Sequence, residues 1–78
     1  MIKKTTKISI STDYITLGQF LKLADIIETG GEAKIFLATH KVTIDGTDDN
    51  RRGRKLRGGE VVEINGQVYE IKKWLLKI

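Results

Sequence analysis

The chain has 78 residues, enough for one domain whose hydrophobic core lies near the lower limit of independent stability. It contains no cysteine and one histidine, which excludes disulfide bonds and the usual zinc sites with several sulfur or nitrogen ligands. No apolar stretch approaches the ~20 residues that span a bilayer, and the amino terminus lacks a signal-peptide core. We therefore expect a cytoplasmic protein without a membrane partner.

The positive charge of the chain is concentrated in one segment. Its 14 basic and 10 acidic side chains give a net charge of +4, and residues 51–57 alone contribute +5. This basic segment contains Arg51, Arg52, Arg54, Lys55 and Arg57, including every arginine of the chain. The planar guanidinium group matches phosphate oxygens and stacks on bases, so the segment favours a nucleic-acid partner.

A strand and a helix are predicted first. Residues 7–11 alternate polar and apolar side chains, as in a half-buried strand. The run Thr16-Leu-Gly-Gln19 has the pattern of a capping box, in which the threonine hydroxyl accepts from the Gln19 amide and the glutamine side chain reaches back. Apolar residues at helical spacing follow and predict a helix that ends near Glu28.

A second helix is predicted directly after the first. The run Thr29-Gly-Gly-Glu32 repeats the capping-box pattern, and apolar spacing continues to His40. Neither helix is long enough to be stable alone, so each must bury its apolar face against the rest of the domain. We interpret His40 as a capping or partly buried histidine, not as a catalytic or metal-binding one.

The second half of the chain predicts strands. A short strand over 42–44 runs into an Asp45-Gly46 turn, and Gly58-Gly59 follows the basic segment as a break. Residues 60–64 and 67–71 flank Asn65-Gly66, which predicts a hairpin with a type I′ turn. Pairing outward from this turn predicts one core-facing set: Val62, Ile64, Tyr69 and Ile71. Residues 72–78 either extend the last strand or form a terminal helical turn.

In this order, the motifs resemble the S4 domain, an RNA-binding module of ribosomal protein S4, Hsp15-type heat-shock proteins and several RNA-modifying enzymes. The small YaaA-type S4-domain proteins are the closer match. The resemblance is carried by residues 15–22, 29–34, 42–46 and 49–57, and it covers about residues 14–71. It implies an α+β fold with the αL motif, in which two short helices pack on a small, mainly antiparallel twisted sheet. Residues 1–78 would then form a single domain.

Two positions depart from the broad S4 pattern. This chain has Thr16-Leu17-Gly18 where many members have Arg-Leu-Asp, and Thr29-Gly30 where many have Ser/Thr-Arg. Both positions often supply RNA contacts, and both are uncharged here. We therefore expect the RNA surface to rely more on the second helix and on the loop over 50–57.

The basic segment has three interpretations. It could bind RNA phosphates, or it could act as a nuclear-localisation signal. It could also form a solvated loop paired with Asp45, Asp48 and Asp49, which reduce the charge over 45–57 to +2. The resemblance favours phosphate binding. The glycines of residues 29–32 either admit an RNA backbone to a helix amino terminus or simply form a compact turn, and the two are not exclusive.

The predicted function is non-catalytic binding of structured RNA, because the chain offers no convincing nucleophile, base or metal site. The predicted contact residues are Lys22, Gly30, Gly31, Lys34, Lys41, Asn50, Arg51, Arg52, Arg54, Lys55 and Arg57. Taken singly, Lys22 and Lys41 are more typical of solvated lysines, and for Tyr14 and Tyr69 we expect core roles before stacking roles. No cofactor, metal or small-molecule substrate is expected, and the protein should be monomeric.

By resemblance, the RNA would be ribosomal, and the protein would act in ribosome assembly or in handling stalled ribosomes. Two alternatives remain open. In one, the protein is an interaction adaptor, with the basic segment and residues 74–76 as the contacts. In the other, it binds duplex DNA.

Overall fold

The computed structural model describes residues 5–73 and shows an α+β fold. A 3₁₀ turn over Gly30–Glu32 precedes the second helix. The helices and strands in chain order are β1 Thr5–Ile10, β2 Ile15–Thr16, α1 Leu17–Leu23, α2 Ala33–Thr39, β3 Val42–Ile44, β4 Thr47–Asp48, β5 Lys55–Leu56, β6 Val61–Ile64 and β7 Gln67–Lys73. The last strand thus extends to Lys73, and the predicted contact over residues 74–76 lies outside the described residues.

Within residues 5–73, five strands form one sheet in the order β1-β7-β6-β3-β4, and β2 pairs with β5 in a separate ribbon. In the larger sheet β1 is parallel to β7 and the other pairs are antiparallel, which confirms a mainly antiparallel sheet. Both predicted turns are present. Asn65-Gly66 (φ 51° and 81°) and Asp45-Gly46 (φ 52° and 85°) have the positive φ pair that a type I′ turn requires.

The core lies between one face of the sheet and the two helices. All four predicted core-facing residues of the β6–β7 hairpin are buried: Val62, Ile64, Tyr69 and Ile71. The helices bury Leu17, Phe20, Leu21, Ala33 and Leu37 against them. The Phe20 and Tyr69 rings meet edge to face, with centroids 5.3 Å apart. Burial of each large apolar side chain stabilises the fold by about 1.5–3 kcal/mol.

The amino terminus of α1 has the predicted capping box. The Gln19 amide donates to the Thr16 hydroxyl (3.2 Å), and the Thr16 amide donates to Gln19 Oε1 (2.9 Å). These bonds satisfy donors that a helix leaves free at its first turn.

The predicted end of the first helix near Glu28 is wrong, because α1 ends at Leu23. Asp25 adopts a left-handed conformation (φ 62°), and its backbone amide donates to Lys22 O at 3.1 Å, while the Ile26 amide donates to Leu21 O at 2.9 Å. This pair of hydrogen bonds is a Schellman motif, which reverses the chain. Ile27 is still buried after the reversal. The apolar spacing therefore predicted burial correctly and helical continuation incorrectly.

The start of the second helix also differs from the prediction. Thr29 does not cap backbone amides; its hydroxyl donates to the Glu32 carboxylate at 3.3 Å, and the Glu32 amide donates to Thr29 O in a 3₁₀ turn. At the other end, the His40 amide donates to Phe36 O, and its ring stacks on the Phe36 ring at 4.0 Å. His40 therefore occupies the predicted capping position. No helix within residues 5–73 is long and apolar enough to cross a membrane.

Replacement of Gly58 by alanine should destabilise the fold. Gly58 has φ +117°, and a Cβ there would lie 3.0 Å from Lys73 Cβ. We expect Gly58→Ala to lower the free energy of unfolding by more than about 1 kcal/mol in urea denaturation.

The matched control for this variant is Gly30→Ala, because a Cβ at Gly30 meets nothing within 4 Å. Its stability should remain within about 0.5 kcal/mol of wild type. Equal losses in the two variants would contradict the steric argument.

Candidate nucleic-acid interface

The basic segment is hydrogen-bonded to the start of α1. The Leu17 amide donates to Arg54 O at 2.7 Å, and the Gly18 amide donates to Arg52 O at 2.9 Å. These are two of the amides that a helix leaves without internal partners. Next to them, β2 pairs with β5 through Ile15 and Leu56, both buried. The main chain of the segment is therefore fixed beside α1.

Gly18 lies where the segment and the two helices converge. A Cβ on Gly18 would be 3.4 Å from Arg52 O and 3.5 Å from the Ala33 Cβ. The small side chains at 18 and 33 thus allow the segment to approach both helices closely. Both distances are ordinary van der Waals contacts, so the space at this position admits a Cβ but little more.

An open groove of about 430 Å³ lies between α1, the 3₁₀ turn and the basic segment. We call it the α1–loop groove. Its lining residues are Thr16, Gly18, Gln19, Lys22, Gly30, Ala33, Arg52 and Gly53. The cations of the groove are Lys22 and Arg52, and both side chains are exposed. In the part of the chain that the structure describes, neither forms an ion pair.

Asp49 holds two of the other arginines. Its carboxylate accepts from Arg51 Nε at 3.0 Å and from Arg51 Nη2 at 2.8 Å, and Arg54 Nε lies 3.4 Å away. It also accepts from the Arg51 backbone amide at 3.0 Å. The hydrogen bond from the Arg51 side chain is the main reason that the pKa of Asp49 is lowered to about 2, and the same bond raises the pKa of Arg51.

The predicted alternative of local pairing is therefore correct for one of the three aspartates. Asp48 lies 3.9 Å from Lys41, and Asp45 accepts from the Val61 amide. Neither pairs with the basic segment. Arg51 keeps a 71% exposed side chain despite its partner, so the Asp49 contacts restrain this cation without burying it.

Lys55 and Arg57 lie beside Tyr14. They flank the buried Leu56 and therefore leave the ribbon on the side away from the core. Lys55 Nζ is 4.8 Å and Arg57 Cζ 5.6 Å from the centroid of the Tyr14 ring. The expected core role of Tyr14 is wrong, because this residue is 40% exposed, whereas Tyr69 is buried as expected. The sequence did contain a signal for this exposure. Tyr14 directly precedes the apolar Ile15, and neighbouring residues of a strand point to opposite faces.

The remaining predicted contact residues lie outside these groups. Lys34 is exposed on α2, and Gly31, next to the groove residue Gly30, has open space around it. Lys41 and Asn50 line a second open cavity of about 290 Å³. The predicted residues thus occupy several adjoining sites and not one cluster. Within residues 5–73, no group of three or more acidic or histidine side chains is placed to hold a metal ion.

Comparison with known proteins shows the family of the chain. Residues 8–72 match the family described as S4 domain. The chain belongs to the S4 domain family. The match begins at residue 8 and so includes the second half of β1, which the motifs of the sequence had left outside. The chain is also 64% identical over 59 residues to a Bacillus subtilis (strain 168) protein named "Probable ribosome maturation protein RlbA", an alignment that covers 76% of this chain and 83% of that protein.

The Asp49–Arg51 contact makes a prediction about pH. A pKa lowered to about 2 means that the contact stabilises the fold above the ordinary value of 3.8 and that this contribution disappears as the pH falls through about 2. A carboxyl-carbon NMR titration of Asp49 should therefore give a midpoint near 2. In Arg51→Gln the midpoint should move towards 3.8, because the main hydrogen bond is lost. An unchanged midpoint in that variant would contradict the assignment.

Proposed function

We propose that this chain is a non-catalytic RNA-binding protein that acts in ribosome maturation. Its S4 domain and the name of its Bacillus subtilis relative support the ribosomal role. On this proposal, residues 1–78 act as a single RNA-binding domain that works as a monomer in the cytoplasm. Its partner is structured ribosomal RNA, contacted chiefly through the backbone.

The observation that carries the proposal is the pair of hydrogen bonds from α1 to the carbonyls of Arg52 and Arg54. They hold the basic segment next to the helices before any partner binds, so little ordering entropy is lost on binding. A-form RNA is recognised mainly through its shape, phosphates and 2′-hydroxyls. A rigid groove with exposed cations suits that kind of recognition.

The cations take different roles in this proposal. Lys22 and Arg52 bind phosphate directly, since their side chains are exposed in the α1–loop groove. Asp49 accepts hydrogen bonds from Nε and Nη2 of Arg51. The remaining N–H groups of the guanidinium are left to donate to phosphate. Arg54 is half-buried, and its main role is to shape the segment.

The outer residues extend the surface around the groove. The open space at Gly30 and Gly31 leaves room for an RNA backbone at the 3₁₀ turn. Lys34 adds charge from α2. Lys41 and Asn50 contribute from the second cavity, where Asn50 can donate to a sugar or base edge.

Removal of the groove cations should weaken RNA binding without unfolding the protein. We expect Arg52→Gln and Lys22→Gln each to weaken binding to a structured RNA hairpin by about five- to tenfold, or roughly 1 kcal/mol. Each should also reduce the slope of log Kd against log salt by about one, because one phosphate contact is lost. Fluorescence anisotropy over a salt series measures both quantities.

The matched control is Lys7→Gln, which removes the same charge from an exposed position on β1, outside the groove. It should change Kd by less than twofold. Equal effects of all three substitutions would indicate a general charge effect and contradict the groove. Tighter binding of a DNA duplex than of RNA by the wild-type protein would favour the alternative of a DNA-binding protein.

The ribosomal part of the proposal is tested in cells. Wild-type protein should sediment with ribosomal subunit precursors on sucrose gradients, and crosslinking followed by sequencing should recover ribosomal RNA. Arg52→Gln combined with Lys22→Gln should lose both signals, while Lys7→Gln keeps them. Recovery of mainly messenger or transfer RNA would overturn the ribosomal assignment.

A further inference from the structure

Tyr14 has an environment unlike that of the other phenylalanine and tyrosine rings within residues 5–73. Phe20 and Tyr69 are buried against each other, and Phe36 stacks on His40. Tyr14 is 40% exposed, and its ring contacts are the two cations Lys55 and Arg57. An exposed aromatic ring beside cations is the combination with which proteins bind single-stranded nucleic acid, because bases stack on the ring and phosphates pair with the cations.

The main chain that carries the Tyr14 ring and the two cations is fixed by its surroundings. The next residue, Ile15, is buried and pairs with the buried Leu56, which lies between the two cations in sequence. The Thr12 hydroxyl donates to Tyr14 O at 2.8 Å, and the Arg57 amide donates to the Glu60 carboxylate at 2.8 Å. The main-chain segments that carry the ring and the cations are therefore held together in the absence of a ligand.

The ring also lies close to the α1–loop groove. Thr16, two residues after Tyr14, lines the groove and is the direct strand partner of Lys55. The chain therefore places Tyr14 and Lys55 next to a residue that lines the groove.

We propose that Tyr14, Lys55 and Arg57 form a stacking site for an unpaired nucleotide that adjoins the RNA duplex in the α1–loop groove. The base stacks on the Tyr14 ring, and Lys55 and Arg57 bind the flanking phosphates. This inference rests on the proposed function and adds to it the class of RNA preferred: a duplex next to a single-stranded base, such as an overhang or a bulge.

The test compares hairpins with the same stem. One hairpin is blunt. Two carry a three-nucleotide extension that contains 2-aminopurine, one at the 5′ end and one at the 3′ end of the stem. Two more carry abasic extensions with the same phosphates at the same ends. We expect wild-type protein to bind one base-containing extension about 5- to 20-fold more tightly than the blunt stem and to change its 2-aminopurine fluorescence. The abasic extension should lose this gain, a result that needs no protein variant.

Two variants test whether Tyr14 causes the gain in affinity for the base-containing extension. Tyr14→Leu should lose the gain and the fluorescence change while its affinity for the blunt stem stays within twofold, and Tyr14→Phe should keep both, because the ring remains. Equal affinities of wild-type protein for all hairpins, or an equal loss by Tyr14→Leu on blunt and extended RNA, would overturn the stacking site. Thermal unfolding of Tyr14→Leu should match wild type, since the ring is outside the core.

Failure of the stacking site is distinguishable from failure of the proposed function. If Arg52→Gln weakens binding to the blunt stem and no hairpin is preferred, the groove is correct and the stacking site is wrong. If Arg52→Gln and Lys22→Gln leave binding to the blunt stem unchanged, the groove assignment fails whatever the 2-aminopurine signal shows.

Discussion

The two hydrogen bonds from Leu17 and Gly18 to the basic segment are the interaction on which the rest of the structure depends. A helix of seven residues is too short to be stable alone, and its first amides need acceptors. A segment with five cations is equally unfavourable as a compact loop unless its main chain is fixed. The carbonyls of the basic segment accept from the first amides of α1, and α1 in turn fixes the main chain of the segment. The same hydrogen bonds that complete α1 therefore also place the cations beside the groove.

The five cations of the basic segment differ in their contact partners, and these differences do not follow their order in the sequence. Asp49 contacts Arg51 and Arg54, and the Tyr14 ring contacts Lys55 and Arg57. Arg52 has neither kind of partner among the described residues, and it is the cation of the segment that lines the groove. A charge of +5 in the sequence therefore overstates the free charge, and the structure separates Arg52 from the four cations that have a structural contact.

Local patterns predicted most of the fold. The capping box at Thr16, the type I′ turn at Asn65-Gly66, the turn at Asp45-Gly46 and the buried side of the β6–β7 hairpin depend on neighbouring residues, which a sequence displays directly. The end of α1 was missed because a left-handed Asp25 has no strong signal when glycine is absent. The β2–β5 ribbon was missed because strands of two residues have no period to detect, and with it the exposure of Tyr14. The choice of Asp49 among three aspartates depends on where the chain folds back.

The stability of the fold and the shape of the groove depend on the same residues at a few positions only. The core is made of apolar side chains between the sheet and the helices, and Lys22 and Arg52 lie outside it, so these cations can change without loss of the fold. Gly18 is different, because the space it leaves is filled by Arg52 main chain and by Ala33, and a bulky residue there would disturb α1 and the groove together. Asp49 also acts on both, because it shapes the segment through the two arginines that it contacts. The shape of the groove therefore depends on main-chain packing at Gly18, and the exposed Lys22 and Arg52 give it positive charge.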